Sequence, residues 1–280
     1  MVIVTGISGQ LGYDVLKELK RRGIDAIGTT RNEISLTTED GAKKFILTKK
    51  PETVIHCAAY TAVDKAESEA ELALTVNGLA TRWIAEACRE VDAKMIYVST
   101  DYVFGGDGRT PYEVDDEKEP VNVYGNSKLL GEDAVRAILD KKFIVRVSWV
   151  FGINGKNFIK TMLRLGETKD KLSVVDDQIG SPTYTVDLAK LLVDMAATDK
   201  YGIYHASNEG FCSWAEFAEE IFKQAGLKVE VEGIPTSEYP TPARRPFNSR
   251  LSKKSLDDAG FNRLPDWQDA LQRFLSELKA

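Results

Sequence analysis

VIVTGISGQLGYDVLKELKRRG, residues 2–23, joins a short branched apolar run to a run of helical period through a turn holding Gly6, Gly9 and Gly12. The first four residues read as a buried strand, and Leu11, Val15, Leu16 and Leu19 fall on one helical face, with Gly23 as the stop. In such a turn Gly6 permits the tight bend, Gly9 lets backbone approach a pyrophosphate, and Gly12 lets helix pack on strand. The helix N-terminus then offers unpaired N–H groups to the phosphates. Three glycines alone say little. At the first strand–helix junction they point to a bound dinucleotide.

Working outward, "DAIGT", "TVIHCAA", "KMIYVST" and "FIVRVS" read as further buried strands. Helical patterns separate them. "LTTEDGAKKFILTKKP" opens with Thr37 three residues before Asp40, like a capping box, and ends at Pro51. "AELALTVNGLATRWIAEACREV" reads as one long helix. This alternation predicts an α/β fold, a doubly wound parallel sheet of Rossmann type, over residues 1–150. Beyond 150 the rhythm is irregular, and a smaller C-terminal substrate lobe is expected over 151–280, with a segment near 171–198 returning to the first domain. Within that second part "CSWAEFAEEIFKQAG" carries Ser213 and Glu216 as a capping box.

Composition narrows the class. The chain has 280 residues, 43% hydrophobic and 29% charged, with a net charge of −6, which argues against general nucleic-acid binding. Cys57, Cys88 and Cys212 are widely spaced and form no CxxC pair, as expected of reduced thiols in a cytosol. No apolar run approaches the ~20 residues of a membrane span. The first strand begins at once, so no signal peptide is expected, and the expected location is cytoplasmic.

Chemistry enters at "YVSTDYVF" and "VYGNSK". Ser99 and Thr100 end a strand, at the edge where α/β ligands bind, and their hydroxyls can hold a carbonyl oxygen as it gains charge. Tyr124 and Lys128 lie one helical turn apart on one face. A phenol of pKa ~10 is a poor proton donor at neutral pH, and a nearby ammonium is expected to bring it toward the working range. Asn77 would be a fourth member, or a polar contact within its helix. At the end of the second strand, where an acid would read a ribose 2′-hydroxyl, stands "TTR". Arg31 there either pairs with the 2′-phosphate of NADPH or is a solvated surface residue.

The GxxGxxG spacing resembles the turn of short-chain dehydrogenase/reductases. Over nearly the whole length the chain resembles one extended branch of them, the dTDP-4-dehydrorhamnose reductases. The resemblance is carried by "GQLG", "AAYTAVDKAE", "STDYVF", "VYGNSKLLGE", "NFIKTMLRLG", "DDQIGSPT", "YPTPARRPFNSRL" and "LPDWQ". It implies reduction of the C4 carbonyl of dTDP-4-dehydro-L-rhamnose by NADPH or NADH, in dTDP-rhamnose biosynthesis for cell-surface polysaccharide. By position, Tyr124 would be the general acid, Lys128 its partner and Thr100 the carbonyl-orienting hydroxyl. Gly6, Ser8, Gly9, Gln10, Leu11, Gly12, Arg31, Ala58, Ala59, Thr61, Asn77 and Ser99 would hold the cofactor, together with Tyr124 and Lys128. Val63, Thr100, Asp101, Tyr102, Trp149 and Asn157 would line the sugar pocket, although Trp149 could equally be a core aromatic. Related dehydratases resemble Thr-Asp-Glu at the strand end, and Tyr102 here leaves that chemistry without its carboxylate. Many family members carry Asp at "TTR", so NADH preference does not follow.

From Tyr239 to Leu256 there are five Lys or Arg and no Asp or Glu. A solvated basic loop would explain the run alone. The resemblance assigns Arg244 and Arg245 to the diphosphate of a dTDP-sugar, which guanidinium forks suit. His56 and His205 share no metal-ligand spacing and read as packed side chains. No metal site is expected, although some relatives hold Mg²⁺ at a dimer contact. The expected partner is the dTDP-sugar alone, bound by a monomer or homodimer. The alternatives are a nucleotide-sugar epimerase that retains NAD and a non-catalytic regulatory subunit of the same fold.

Overall fold

The apolar runs of the first half become the strands of one sheet. A computed structural model describes residues 1–279. β1 (Val2–Thr5), α1 (Gln10–Arg21), β2 (Ala26–Thr29), α2 (Glu39–Lys49) and β3 (Thr53–His56) follow in strict alternation. Two short helices, α3 (Val63–Ala66) and α4 (Ala70–Leu74), lead through a π-helical turn (Thr75–Leu79) into α5 (Ala80–Glu90). β4 (Lys94–Thr100), α6 (Val123–Ile138) and β5 (Lys142–Val147) complete the first half.

The second half supplies β6 (Val150–Phe151), α7 (Phe158–Gly166), β7 (Lys171–Val175), β8 (Ile179–Gly180), β9 (Thr183–Tyr184) and α8 (Thr185–Ala196). It continues with β10 (Gly202–His205), β11 (Cys212–Ser213), α9 (Trp214–Ala225), β12 (Glu230–Ile234), α10 (Lys254–Ala259) and α11 (Trp267–Lys279).

Six strands pair in the order β10-β5-β4-β3-β1-β2, every pair parallel. Parallel strands are covered on both faces, so they read as continuous apolar runs, and Ile3, Val4, Val54, Ile55 and Ile96 are wholly buried. One face packs on α1 and α8 through Val15, Leu19, Leu188 and Leu192. The other packs on α2, α5 and α6 through Ile46, Ile84, Cys88 and Val135. Strand order reverses at β1, with β2 on one side and β3 on the other. That opens a crevice at the carboxyl ends of the strands, where ligands of such folds bind.

The second lobe has its own core, in which Phe151, Phe217, Phe222, Trp267 and Phe274 interlock. The segment returning to the sheet differs from the expected 171–198. Lys171–Val175 pairs with β12 in the second lobe, whereas Thr185–His205, as α8 and β10, joins the first. Residue 280, the end of the expected lobe, lies outside the described residues.

Two local expectations also shift. α2 is capped by Thr38, whose hydroxyl accepts from the Gly41 N–H, so Thr37–Asp40 is no capping box. The long helix is broken by the π turn centred on Asn77. Ser213 and Glu216 do form the expected reciprocal box at α9.

Candidate active site

The glycine turn is shaped by close approach. Gly6 has φ +73°, and a Cβ there would lie 2.7 Å from the Ala58 Cα. A Cβ on Gly12 would lie 2.4 Å from the Gly6 carbonyl oxygen. The N–H groups of Gly6 and Ile7 donate to the Thr29 carbonyl at 3.0 and 3.2 Å, and that of Gly9 to the Gly6 carbonyl at 2.9 Å. Gly9 caps α1 with no side-chain partner, and the first helical turn has no acidic residue. The N–H groups of Gln10, Leu11 and Gly12 therefore meet a seat with room for backbone approach and partial positive charge. Those properties fit a pyrophosphate.

Around that seat, Ser8 is exposed, and Ala58 is held by its N–H bond to Thr5 Oγ1 at 3.1 Å. Ala59 and Thr61 follow on the same loop, with Thr61 exposed. Arg31 is exposed just past β2. Glu33, which the sequence pattern did not single out, accepts from the N–H and hydroxyl of Thr30 at 2.7 and 2.8 Å. The loop that would meet the adenosine ribose thus carries both signs of charge.

α6 delivers Tyr124 and Lys128 because Asn122 caps its start, accepting from the Gly125 N–H at 2.8 Å. Tyr124 is stacked edge-on against Tyr102, with ring centroids 5.6 Å apart. Burial pushes its phenol above the ordinary value, opposed by the Thr100 hydroxyl. Lys128 is buried, donates to the Val98 carbonyl at 2.7 Å and lies 4.1 Å from the Tyr97 ring centroid. Burial brings it down to about 7. The expected lowering of the phenol by a neighbouring ammonium is therefore not what this arrangement provides. One turn beyond, Glu132 accepts from Arg146 at 2.9 and 2.7 Å in a fully buried ion pair.

Thr100 donates to Asp101 Oδ1 at 3.0 Å and accepts from the Tyr102 N–H at 3.2 Å. Its proton is spent on Asp101, whose carboxyl burial raises to about 6 against the opposing hydroxyls of Ser249 and Thr100. The Ser99 hydroxyl is buried without a partner among the described residues.

Asn77 does not face an open site. Its Oδ1 accepts from the Tyr60 N–H at 2.8 Å, and its Nδ2 donates to the Tyr60 carbonyl at 3.0 Å and to Ser127 Oγ at 2.9 Å. It is a strut between the loop after β3 and the residue preceding Lys128, and the π turn is what aims it there. Both histidines are packed, as expected. His56 lies between Thr5 and Thr81, and His205 beside Arg146.

The second lobe meets the first through several of the residues singled out in the sequence. Trp149, with φ +47°, stacks on Trp214 with centroids 3.6 Å apart and stays half-buried. Asn157 caps α7 by accepting from the Lys160 N–H at 3.0 Å, and its Nδ2 donates to Gln10 Oε1 and the Gly152 carbonyl, each at 2.9 Å. Its amide is committed to the lobe junction, not to a sugar. Arg245 pairs with Asp64 at 2.7 Å and donates to the Tyr102 hydroxyl at 3.3 Å. Arg244 pairs with Asp107 at 3.3 Å. Carboxylates from the first domain thus already face the basic loop, across the chain from the run that was read as uniformly positive. Val63 begins α3, one residue before Asp64.

The family model described as RmlD substrate binding domain matches residues 1–280. The spore coat polysaccharide biosynthesis protein SpsK of Bacillus subtilis is 40% identical over 276 residues, 99% of this chain and 97% of its own. The crystal structure of a dTDP-4-dehydrorhamnose reductase from Clostridium acetobutylicum is 40% identical with a TM-score of 0.97, covering 100% of this chain and 99% of that one. That of the dTDP-4-dehydrorhamnose reductase of Bacillus anthracis, in complex with NADP, is 43% identical with a TM-score of 0.96, covering 99% and 98%. A likeness of this extent, running through the glycine turn, the Tyr124–Lys128 helix and the second lobe alike, places the chain in the dTDP-4-dehydrorhamnose reductase family.

Proposed function

We propose that the protein reduces the C4 carbonyl of dTDP-4-dehydro-L-rhamnose to give dTDP-L-rhamnose, with NADPH or NADH as reductant. The observation that carries the reading is the half-buried Tyr124 phenol beside Thr100 at the carboxyl edge of β4, next to the glycine-turn crevice. When bound, the reduced nicotinamide supplies hydride to C4. Tyr124 gives its proton to the developing alkoxide, so that the carbonyl becomes a secondary alcohol. Thr100, aligned by Asp101, lies beside the phenol at the end of β4, and Lys128 anchors α6 beside the cofactor ribose.

The reading gives each ligand its own lobe, the cofactor to residues 1–150 and the dTDP-sugar mainly to the remainder. Val63, Tyr102 and Trp149 border the sugar, and Arg244 and Arg245 face the diphosphate. It also places the enzyme in the cytoplasm, as a monomer or homodimer, serving cell-surface polysaccharide. No helix among the described residues is long and apolar enough to cross a membrane.

Turnover of dTDP-4-dehydrorhamnose with added NADPH or NADH, with product configuration read by NMR, tests the proposal. Conversion without added cofactor, by protein that copurifies with NAD, would favour an epimerase. Ligand binding without conversion would favour a regulatory subunit.

A further inference from the structure

The glycine turn is gripped from outside its own domain. Asn154, in the loop after β6, donates through Nδ2 to the carbonyls of Ser8 and Gly9 at 3.0 and 3.2 Å. Gln10, the next residue, accepts through Oε1 from the Gly152 N–H and from Asn157 Nδ2, each at 2.9 Å. A trans peptide carries its C=O and N–H in opposite directions. Holding the Gly9 carbonyl on the Asn154 side therefore aims the Gln10 N–H the other way, toward the phosphate seat. The Ser8–Gly9 peptide is held at both ends, by Gly6 through its N–H and by Asn154 through its C=O.

The same loop leads into the second lobe's aromatic stack. Asn157 caps α7, Phe158 packs on Trp214 with centroids 4.7 Å apart, and Trp214 stacks on Trp149. Residues 149–158 thus touch the cofactor seat at one end and the proposed sugar pocket at the other.

We propose that Asn154 is a positioning residue that couples the two ligands. By orienting the turn's peptide planes from the substrate lobe, it makes cofactor and nucleotide-sugar binding mutually dependent. The inference rests on the proposed function only in taking a dTDP-nucleotide as the second ligand.

Calorimetric titration of the cofactor-free protein supplies the test. NADPH is titrated with and without saturating dTDP, and dTDP with and without NADPH. Linkage requires the two ratios to be equal, and a coupling of about five-fold or more is expected in the parent protein. Asn154→Ala should weaken NADPH roughly two- to ten-fold, the worth of one or two lost hydrogen bonds, and bring the coupling close to unity. Asn154→Asp, of the same size but without the donor, should do the same, with the melting temperature as a check that both variants fold. A merely structural role would shift the melting temperature and leave the ratio intact. Parent-like coupling in both variants, or independent binding in the parent, overturns the inference. Failure of the parent to bind dTDP at all overturns the proposed substrate as well.

Discussion

The ammonium of Lys128 donates to the carbonyl of Val98 at 2.7 Å, reaching from α6 to the neighbouring strand. The bond anchors α6 to the carboxyl end of β4, the strand that also ends in Ser99 and Thr100. It explains why Tyr124 and Thr100 keep a fixed separation although they belong to different elements. In the proposed reaction Tyr124 is the acid whose proton goes to the alkoxide.

Tyr124→Phe removes that proton and little else. Turnover should fall by ~10²–10⁴, the usual worth of a positioned acid, with NADPH affinity unchanged. Steady-state kinetics beside a fluorescence titration of NADPH provide the check. Turnover within a few-fold of the parent would take Tyr124 out of the mechanism.

Acid should destabilise the protein well above the ordinary carboxylate range. His56 and His205 are buried, and each is pushed down to about 3, by burial first and then by the charges of Lys128 and Arg146 respectively. Below the ordinary histidine value of 6.5 the unfolded chain takes up those protons and the folded one does not. Stability therefore falls as pH drops from about 6.5 toward 3. Asp101 works against this, since its raised carboxyl binds a proton in the fold first, between about 6 and 3.8. The net loss from pH 7 to pH 5 should be on the order of 2 kcal/mol, read as a lower urea midpoint. His56→Gln should flatten the dependence, and an unchanged slope would mean that His56 is charged in the fold.

Arg31 stands exposed where the adenosine ribose would lie. If it meets a 2′-phosphate, Arg31→Ala should weaken NADPH by roughly ten- to a hundred-fold, at ~1.5–3 kcal/mol per charge-assisted bond, and leave NADH nearly unchanged. Glu33 should act in the opposite sense, since a carboxylate repels that phosphate. Equal effects of Arg31→Ala on both cofactors would remove the pairing.

Where one segment decides its own shape, the sequence was readable. The turn at Gly6–Gly12 and the Ser213–Glu216 box depend on residues a few positions apart, and both stand as read. Asn77 was legible as polar but not in its direction, because the π turn that aims it arises from packing against α6. Asn154 sits in "INGKN", which reads only as a turn, and its partners are about 145 residues away. The return of Thr185–His205 to the first sheet was misplaced for a related reason. "KLSVV" has the apolar character of a core strand, and nothing local says which of two cores it joins.

The same blindness to distant partners bears on Arg245. It sits in a run whose charged residues are all basic, yet in space it meets Asp64 at 2.7 Å and the Tyr102 hydroxyl at 3.3 Å. A guanidinium has five N–H donors, so it can keep Tyr102 while turning others to a diphosphate. Asp64 is then a counter-ion that substrate must displace. On the proposed reading the cofactor's pyrophosphate takes the turn at Gly6–Gly12, so the second dianion is the one that needs this loop. Arg245→Ala should raise KM for the dTDP-sugar by roughly ten-fold or more, at ~1.5–3 kcal/mol per lost charged contact. Some loss of kcat should accompany it, because Tyr102 packs edge-on against Tyr124. Asp64→Asn should move KM the other way, by less, since a half-exposed ion pair is worth under ~1 kcal/mol. Calorimetry with NADPH alone and with dTDP alone separates the two anions. Weakened NADPH with normal dTDP would place Arg245 over the cofactor instead.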